Sequence, residues 1–510
     1  MFLDNLKDTL ENEYNVSQTE NGAIGYKTSG KYLLDLNFAL SSMRKWSKEE
    51  IIEAFVKAFY ENKMLAIKWL FFVGDPRGGN GERRIFKIIF KYLAENHKDL
   101  TRSILPLVPH YTRWDNLWPL FDTELSYDVA ELVYHQILVD DKSIDEGKPI
   151  SLLGKWLPSI NSYSDETKKY AKKLINHLEI NNKTYREICV YLRKCINIVE
   201  SKMCAGEWDH IDYSQVPSRA NLIYSNAFMK HDPERRKVYL ALVSEGKAKI
   251  NASTLFPHDI VHKYITGDYR GYNVDVIPGI DETAEALWNN LPNYIGEEDN
   301  VLVLADGSGS MFSNKVSKTD ITCLDVSMAL AIYFAERMKG AFKNKYITFG
   351  GDPQFVDISN CKNLKEKLEY AIQFNDYRNT DIRKVFALLL RTAIKHNMSQ
   401  EEFPKAILIL SDMEFDAGID FAEEKLFNEI SKVYQKEGYQ LPRLVFWNIC
   451  SRTNTIPVKE NKLGVALVSG FSPSIIKMVL SNKTDPYEVL VEQLNSERYS
   501  KLESVLKDII

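Results

Sequence analysis

The sequence predicts an α + α/β protein. An N-terminal, repeat-like α-helical module spans residues 1–295, and a doubly wound, Rossmann-like α/β domain spans 296–510. Three observations predict this. Apolar residues before about 295 recur at helical spacing. After 296, short continuous apolar runs alternate with helical patterns, the mark of a parallel sheet. At 510 residues the chain has length for two to four domains.

The helical signal begins with Ile51, Ile52, Phe55, Ala58 and Phe59, which share one face, with Lys48, Glu49, Glu50, Glu53, Lys57 and Glu61 on most other positions. Like patterns recur at 63–73, 82–95, 126–139, 166–178, 184–202 and 233–244, parted by turns such as 74–81. Convincing strands are absent here. Many mid-length helices on short links predict a HEAT-like or irregular solenoid. In the second half, Val301–Ala305, Tyr346–Phe349, Ala406–Leu410, Leu444–Cys450 and Val465–Val468 read as strands buried on both faces. Gln354–Ile358 follows a Gly350-Gly351-Asp352-Pro353 turn and predicts an antiparallel edge strand. Helices are expected at 324–338, 362–373, 381–395 and 420–436.

Composition narrows the function classes. Hydrophobic residues make up 45% and charged residues 26%, as in ordinary globular proteins. A net charge of −5 excludes a globally basic coat for nucleic acid but leaves room for local basic surfaces. The six cysteines contain no CxxC, so neither a disulfide framework nor a zinc ribbon is indicated. The opening Met1-Phe2-Leu3-Asp4 does not resemble a secretory signal, and the most apolar stretch, 64–73, is short of the ~20 residues that cross a bilayer. The expectation is a reduced, cytoplasmic protein with no membrane partner.

The strongest chemical signal is Asp306-Gly307-Ser308-Gly309-Ser310, at the carboxyl end of the first predicted strand, where open α/β sheets bind ligands. Three hard oxygen donors share one tight loop. Thr380 precedes a predicted helix and Asp412 follows the strand Ala406–Leu410, so three loops converge. Hydroxyls, carboxylates and retained waters suit Mg²⁺ or Mn²⁺. Taken one by one, these positions also read as a plain turn with two caps. Glu414, Asp416 and Asp420 read as a solvated acidic loop more readily than as cation-gathering groups. His258 and His262, at i, i+4, lack an evident third ligand and read as a structural pair.

The order of these motifs resembles the Ro ribonucleoprotein family, a TROVE module followed by a von Willebrand A domain. Asp306-x-Ser308-x-Ser310 is followed by Asn379-Thr380-Asp381, Ile409-Leu410-Ser411-Asp412, Leu444–Cys450 and Gly470-Phe471-Ser472. Leu255-Phe256-Pro257-His258-Asp259-Ile260 resembles a segment near the end of the family's helical module. The likeness is specific over 296–475. Earlier, Asp75-Pro76-Arg77-Gly78-Gly79-Asn80-Gly81-Glu82-Arg83-Arg84 and Tyr111-Thr112-Arg113-Trp114-Asp115 look more like bacterial and phage proteins of the same plan. The resemblance implies a metal-ion-dependent adhesion site (MIDAS). In it, Ser308, Ser310 and Thr380 approach the ion, and Asp306 and Asp412 act through waters. One coordination position is left for a partner's carboxylate. It also implies a ring-shaped helical module that binds small structured non-coding RNA or misfolded RNA. A metal-dependent hydrolase is the weakest reading, because the metal would be held mostly by neutral hydroxyls and no general base is evident, so no enzymatic activity is expected.

Local charge adds to the RNA reading. From Arg77 to Arg113 there are eight Lys/Arg against three Asp/Glu, and from Lys155 to Lys202 ten against five. Basic stripes neutralise phosphates. The candidate contacts are Arg77, Arg83, Arg84, Lys87, Arg113, Lys168, Lys169, Lys172 and Lys173. Arg83 and Arg84 open a helix after a Gly-rich turn whose N–H groups could take a phosphate. The competing reading pairs them with Asp75 and Glu82. The alternative function is a protein-interaction scaffold that uses the metal and no RNA.

Overall fold

Strands whose side chains are buried on both faces organise the second half of the chain. The computed structural model describes residues 14–20, 24–268, 273–296, 300–316, 320–375, 382–414, 432–456, 465–472, 475, 478, 485–507 and 509. In chain order its strands are β1 (Val16–Gln18), β2 (Ile24–Tyr26), β3 (Ile265–Asp268), β4 (Asn273–Val276), β5 (Val301–Asp306), β6 (Lys345–Phe349), β7 (Gln354–Asp357), β8 (Ala406–Ser411), β9 (Arg443–Asn448) and β10 (Val465–Ser469). Six of them form one sheet in the order β10-β9-β8-β5-β6-β7. Every pairing is parallel except β6 with β7, which is antiparallel, as the hairpin signal predicted.

The chain divides into two compact units, and neither is continuous in sequence. The sheet unit comprises Met1–Ser47, Tyr60–Asn62 and Leu255–Leu494, and the helical unit comprises Lys48–Phe59, Lys63–Thr254 and Asn495–Ile510. This differs from a linear division at 295/296. The first segment enters the sheet unit through hydrogen bonds. Asn448 donates its amide to Phe38 O at 2.9 Å, Ser41 Oγ donates to Asn448 O at 3.1 Å, and the Ser469 and Ser41 hydroxyls lie 2.9 Å apart. A fragment starting at 296 lacks all of these partners.

In the sheet unit, β5 and β8 are buried along their whole length. Against them packs the helix Cys323–Arg337, buried on nearly every side. Thr322 caps it by accepting from Asp325 N, and Asp325 accepts from Thr322 N in return. The expectation of no strands before 295 is corrected. β1 pairs with β2 and β3 with β4, as antiparallel pairs of three and four residues. Runs this short leave no alternating signature to read.

The helical unit follows the predicted periodicity closely, with helices at Lys63–Gly74, Arg83–Asn96, Ser126–Asp145, Asp165–His177 and Pro233–Ser244. The pattern expected as one helix over 184–202 is two, Asn182–Ile196 and Val199–Ala205. Asn197, at φ 59°, ends the first in the left-handed conformation that asparagine tolerates. The final segment joins this unit through buried polar groups. Lys68 Nζ donates to Asn495 Oδ1 at 2.6 Å and pairs with Glu503 at 2.7 Å. Arg498 Nη2 donates to buried Asp75 at 2.8 Å, and Tyr499 donates its hydroxyl to the same carboxylate at 3.2 Å.

Candidate functional site

The ends of β5 and β8 bring Asp306, Ser308, Ser310 and Asp412 together. Leu304 is opposite Ile409 and Ala305 opposite Leu410, so Asp306 and Ser411 leave the sheet side by side. Asp306 is buried and both its oxygens are engaged. Oδ1 accepts from Ser308 N at 2.9 Å and Oδ2 from Ser411 Oγ at 2.6 Å. The Ser308 and Ser310 hydroxyls are 3.1 Å apart. Gly307 leaves room for a close approach, since a Cβ there would lie 3.0 Å from Asn375 Oδ1. Asn375 belongs to the stretch that leads to Thr380. Thr380 itself, with Asn379, Asp381, Asp416 and Asp420, lies outside the described residues.

Asp412 is the unusual group. It is 1% exposed, yet its Oδ2 has no hydrogen-bond partner. Oδ1 accepts a long bond from Glu414 N, 3.3 Å. Burial, then the neighbouring Asp306 charge, push the Asp412 carboxyl up to about 7, with the Arg452 guanidinium opposing. Two acids buried side by side repel, and a divalent cation would relieve the repulsion. Asp306, Asp412 and the two hydroxyls are the oxygen groups here that could take Mg²⁺ or Mn²⁺, while no cluster of three or more His, Cys, Asp or Glu side chains placed to hold a metal occurs among the described residues. Asp306, already bonded at both oxygens, would serve such an ion through water.

For Glu414, the reading as part of a solvated acidic loop is corrected. It is buried, and its Oε1 accepts from Arg452 N at 2.6 Å, Thr453 N at 3.0 Å and Ser451 Oγ at 3.1 Å. Its Oε2 accepts from Glu20 N at 2.8 Å. One carboxylate thus fixes the loop after β9 to the N-terminal segment. Ser411, Arg452 and Glu20 were not legible as site residues, and Glu414 was weighed only as a cation-gathering or solvated group. Only the Ser-Asp step at the end of a buried strand hinted at Ser411.

His258 and His262 have separate surroundings. His258 is buried against Phe256 and Phe471, with ring centroids 5.4 and 5.6 Å away. His262 lies 3.5 Å from Asp325 instead.

In the helical unit, the candidate RNA contacts are tied largely to carboxylates. Arg83 bonds Asp115 at 2.9 Å, Lys87 reaches the same oxygen at 3.0 Å, and Arg113 pairs with Asp115 at 3.1 Å while stacking over Trp156. Lys169 and Lys173 share Asp122 at 2.7 and 2.6 Å, and Lys168 pairs with Asp165 at 3.0 Å. Arg77, Arg84 and Lys172 are exposed. The competing pairing of Arg83 with Asp75 or Glu82 is replaced by Asp115. The Gly-rich turn is also not an open phosphate nest, because its N–H groups are spent internally. Those of Arg77 and Gly78 bond Asp75 Oδ1, those of Gly79 and Gly81 bond Asp75 O, that of Asn80 bonds Phe72 O and that of Glu82 bonds Val73 O. Nearby, a groove of about 570 Å³ is lined by Lys48, Arg83, Arg84, Lys87 and Lys91 together with Asp122 and Glu166.

Comparison with known proteins adds two domain matches. Residues 300–507 match a domain of unknown function, DUF7788, and residues 115–298 match a second, DUF2828. The chain is also similar to Uncharacterized protein L728 of Acanthamoeba polyphaga mimivirus, 26% identical over 94% of this chain and 87% of the relative.

Proposed function

We propose that this is a non-enzymatic binding protein of the Ro plan, in which a von Willebrand A-like unit holds Mg²⁺ or Mn²⁺ and captures an acidic group of a partner. The observation that carries this is Asp412 Oδ2, buried and without a hydrogen-bond partner beside Asp306 and the paired hydroxyls of Ser308 and Ser310. A bound ion would supply a fixed positive charge with a position open to an incoming carboxylate. Asp306, steadied by Ser411 and Ser308 N, orients that shell, and Thr380 is assigned to it by resemblance alone. The position of these oxygen groups at the carboxyl ends of neighbouring parallel strands supports the reading. The test is thermal. Mg²⁺ should raise the melting temperature of the wild type and leave that of Asp412→Asn unmoved, and equal shifts in both would defeat it.

A second reading concerns the helical unit, proposed as a HEAT-like TROVE-type module for small structured or misfolded RNA. The groove with five Lys or Arg side chains favours it. Pairing of Arg83, Lys87, Arg113, Lys169 and Lys173 to carboxylates weighs against it. Filter binding of structured RNA at low salt tests it, and no retention would leave the scaffold reading alone.

A further inference from the structure

The positive charge that now stands against Asp412 comes from the chain itself. Arg452 Nη2 lies 3.6 Å from Asp412 Oδ2, beyond hydrogen-bond reach but close enough for strong attraction. Its Nε bonds Glu20 at 2.7 Å. The guanidinium is therefore suspended between an exposed carboxylate and a buried one. Its backbone is fixed independently, because Arg452 N donates to Glu414 Oε1 at 2.6 Å and Thr453 N to the same oxygen at 3.0 Å. The side chain can swing without moving the loop, and at 30% exposure it has solvent to swing into.

We propose that Arg452 is an internal counter-cation of the metal site, and that a divalent ion and the guanidinium compete for Asp412. The inference rests on the metal reading above. Without an ion, Arg452 partly neutralises a carboxylate that is buried beside Asp306. With an ion on Asp412, two positive charges would face each other across a few ångströms, and the guanidinium moves toward Glu20 and solvent. Glu20 thus sets the balance. It holds Arg452 away from Asp412, and losing its charge would return the guanidinium to the buried carboxylate. Metal loading would then turn an arginine outward at the rim, where an acidic ligand could pair with it as well as with the ion. Because Glu20 N is held by Glu414, the N-terminal segment is placed to sense that exchange.

The test is calorimetric titration of Mn²⁺ into the full-length chain at low ionic strength. Arg452→Gln and Arg452→Met, both neutral, should bind Mn²⁺ more tightly than wild type by roughly three- to tenfold, a gain that shrinks in high salt. Arg452→Lys, which keeps the charge, should stay near wild type. Glu20→Gln should bind more weakly. A structural role for Arg452 would instead weaken binding in every variant. Equal or weaker binding in both neutral variants, with a native melting transition, overturns the proposal while leaving the metal site standing if Asp306→Ala loses binding. No Mn²⁺ heat in the wild type defeats the metal reading, and this proposal with it.

Discussion

Ser411 donates its hydroxyl to Asp306 Oδ2 at 2.6 Å, across the ends of two neighbouring parallel strands. That bond aims the one carboxylate of the Asp-x-Ser-x-Ser loop which is fully committed to neighbours. It also ties the first loop of the site to the strand that delivers Asp412.

Ser411→Ala should therefore weaken Mn²⁺ binding by about tenfold, the size expected for removing a group that orients a ligand. Stability should fall by about 2 kcal/mol, since a bond to a charged buried acceptor is lost. Titration calorimetry and urea unfolding read the two effects separately. An unchanged affinity would mean that Asp306 does not face the ion.

Glu414→Gln replaces an oxygen that accepts several N–H and O–H groups with an amide that must turn a donor toward some of them. Urea unfolding should show a loss of about 2–3 kcal/mol. Limited proteolysis should open the chain near 451–453. No change in either would deny Glu414 its role as the tie between that loop and the N-terminal segment.

Gly79→Ala tests the tight turn. A Cβ there would lie 1.8 Å from Phe72 O, so the turn must move, at a cost of at least about 3 kcal/mol. Gly147→Ala meets no neighbour within 4 Å but carries φ +66°, and should cost about 1 kcal/mol. Denaturant midpoints in the reverse order would contradict the packing given for residues 72–82.

His262 gives a pH signature. Its pKa is raised, first by its contact with Asp325 and against the effect of burial, with Asp320 and Asp259 also raising it. A histidine held more protonated in the folded state contributes stability that is full below its unfolded pKa of about 6.5. That stability is lost as pH rises through the folded value. Wild type should exceed His262→Gln in stability by more at about pH 5.5 than at about pH 9. A difference independent of pH would mean that His262 and Asp325 form no stabilising ion pair.

For the RNA reading, Lys48→Gln with Arg84→Gln should flatten the slope of log K against log salt by roughly 1.4–1.8 units, at about 0.7–0.9 per phosphate contact. The weakening should be similar for any RNA, because phosphate contacts carry no sequence information. Asp306→Ala should leave RNA affinity unchanged. Filter binding over a salt series measures all three, and an unaltered slope would move any RNA surface away from the groove.

The strands of the large sheet were legible because residues such as Val301–Ala305 and Ala406–Leu410 form uninterrupted apolar runs, and Asp306 and Asp412 follow from standing at their ends. The exchange of chain termini was not. Lys68 in an apolar helix gives no sign that its partners are Asn495 and Glu503, and nothing near Asp75 names Arg498. Glu414 looks solvated in sequence because its partners, residues 451–453 and Glu20, lie far from it along the chain. Likewise Arg83 and Lys87 read as a basic stripe, since Asp115, which pairs with both, is some thirty residues downstream. Periodicity reports which face is buried, whereas these pairings depend on tertiary neighbours.

If Asp306 and Asp412 hold a divalent ion, calorimetric titration of Mn²⁺ into the full chain should give one ion per chain in the wild type. Asp306→Ala and Asp412→Asn should show no detectable binding, each keeping a cooperative thermal transition. Equal affinity in wild type and either variant would remove both carboxylates from any metal site.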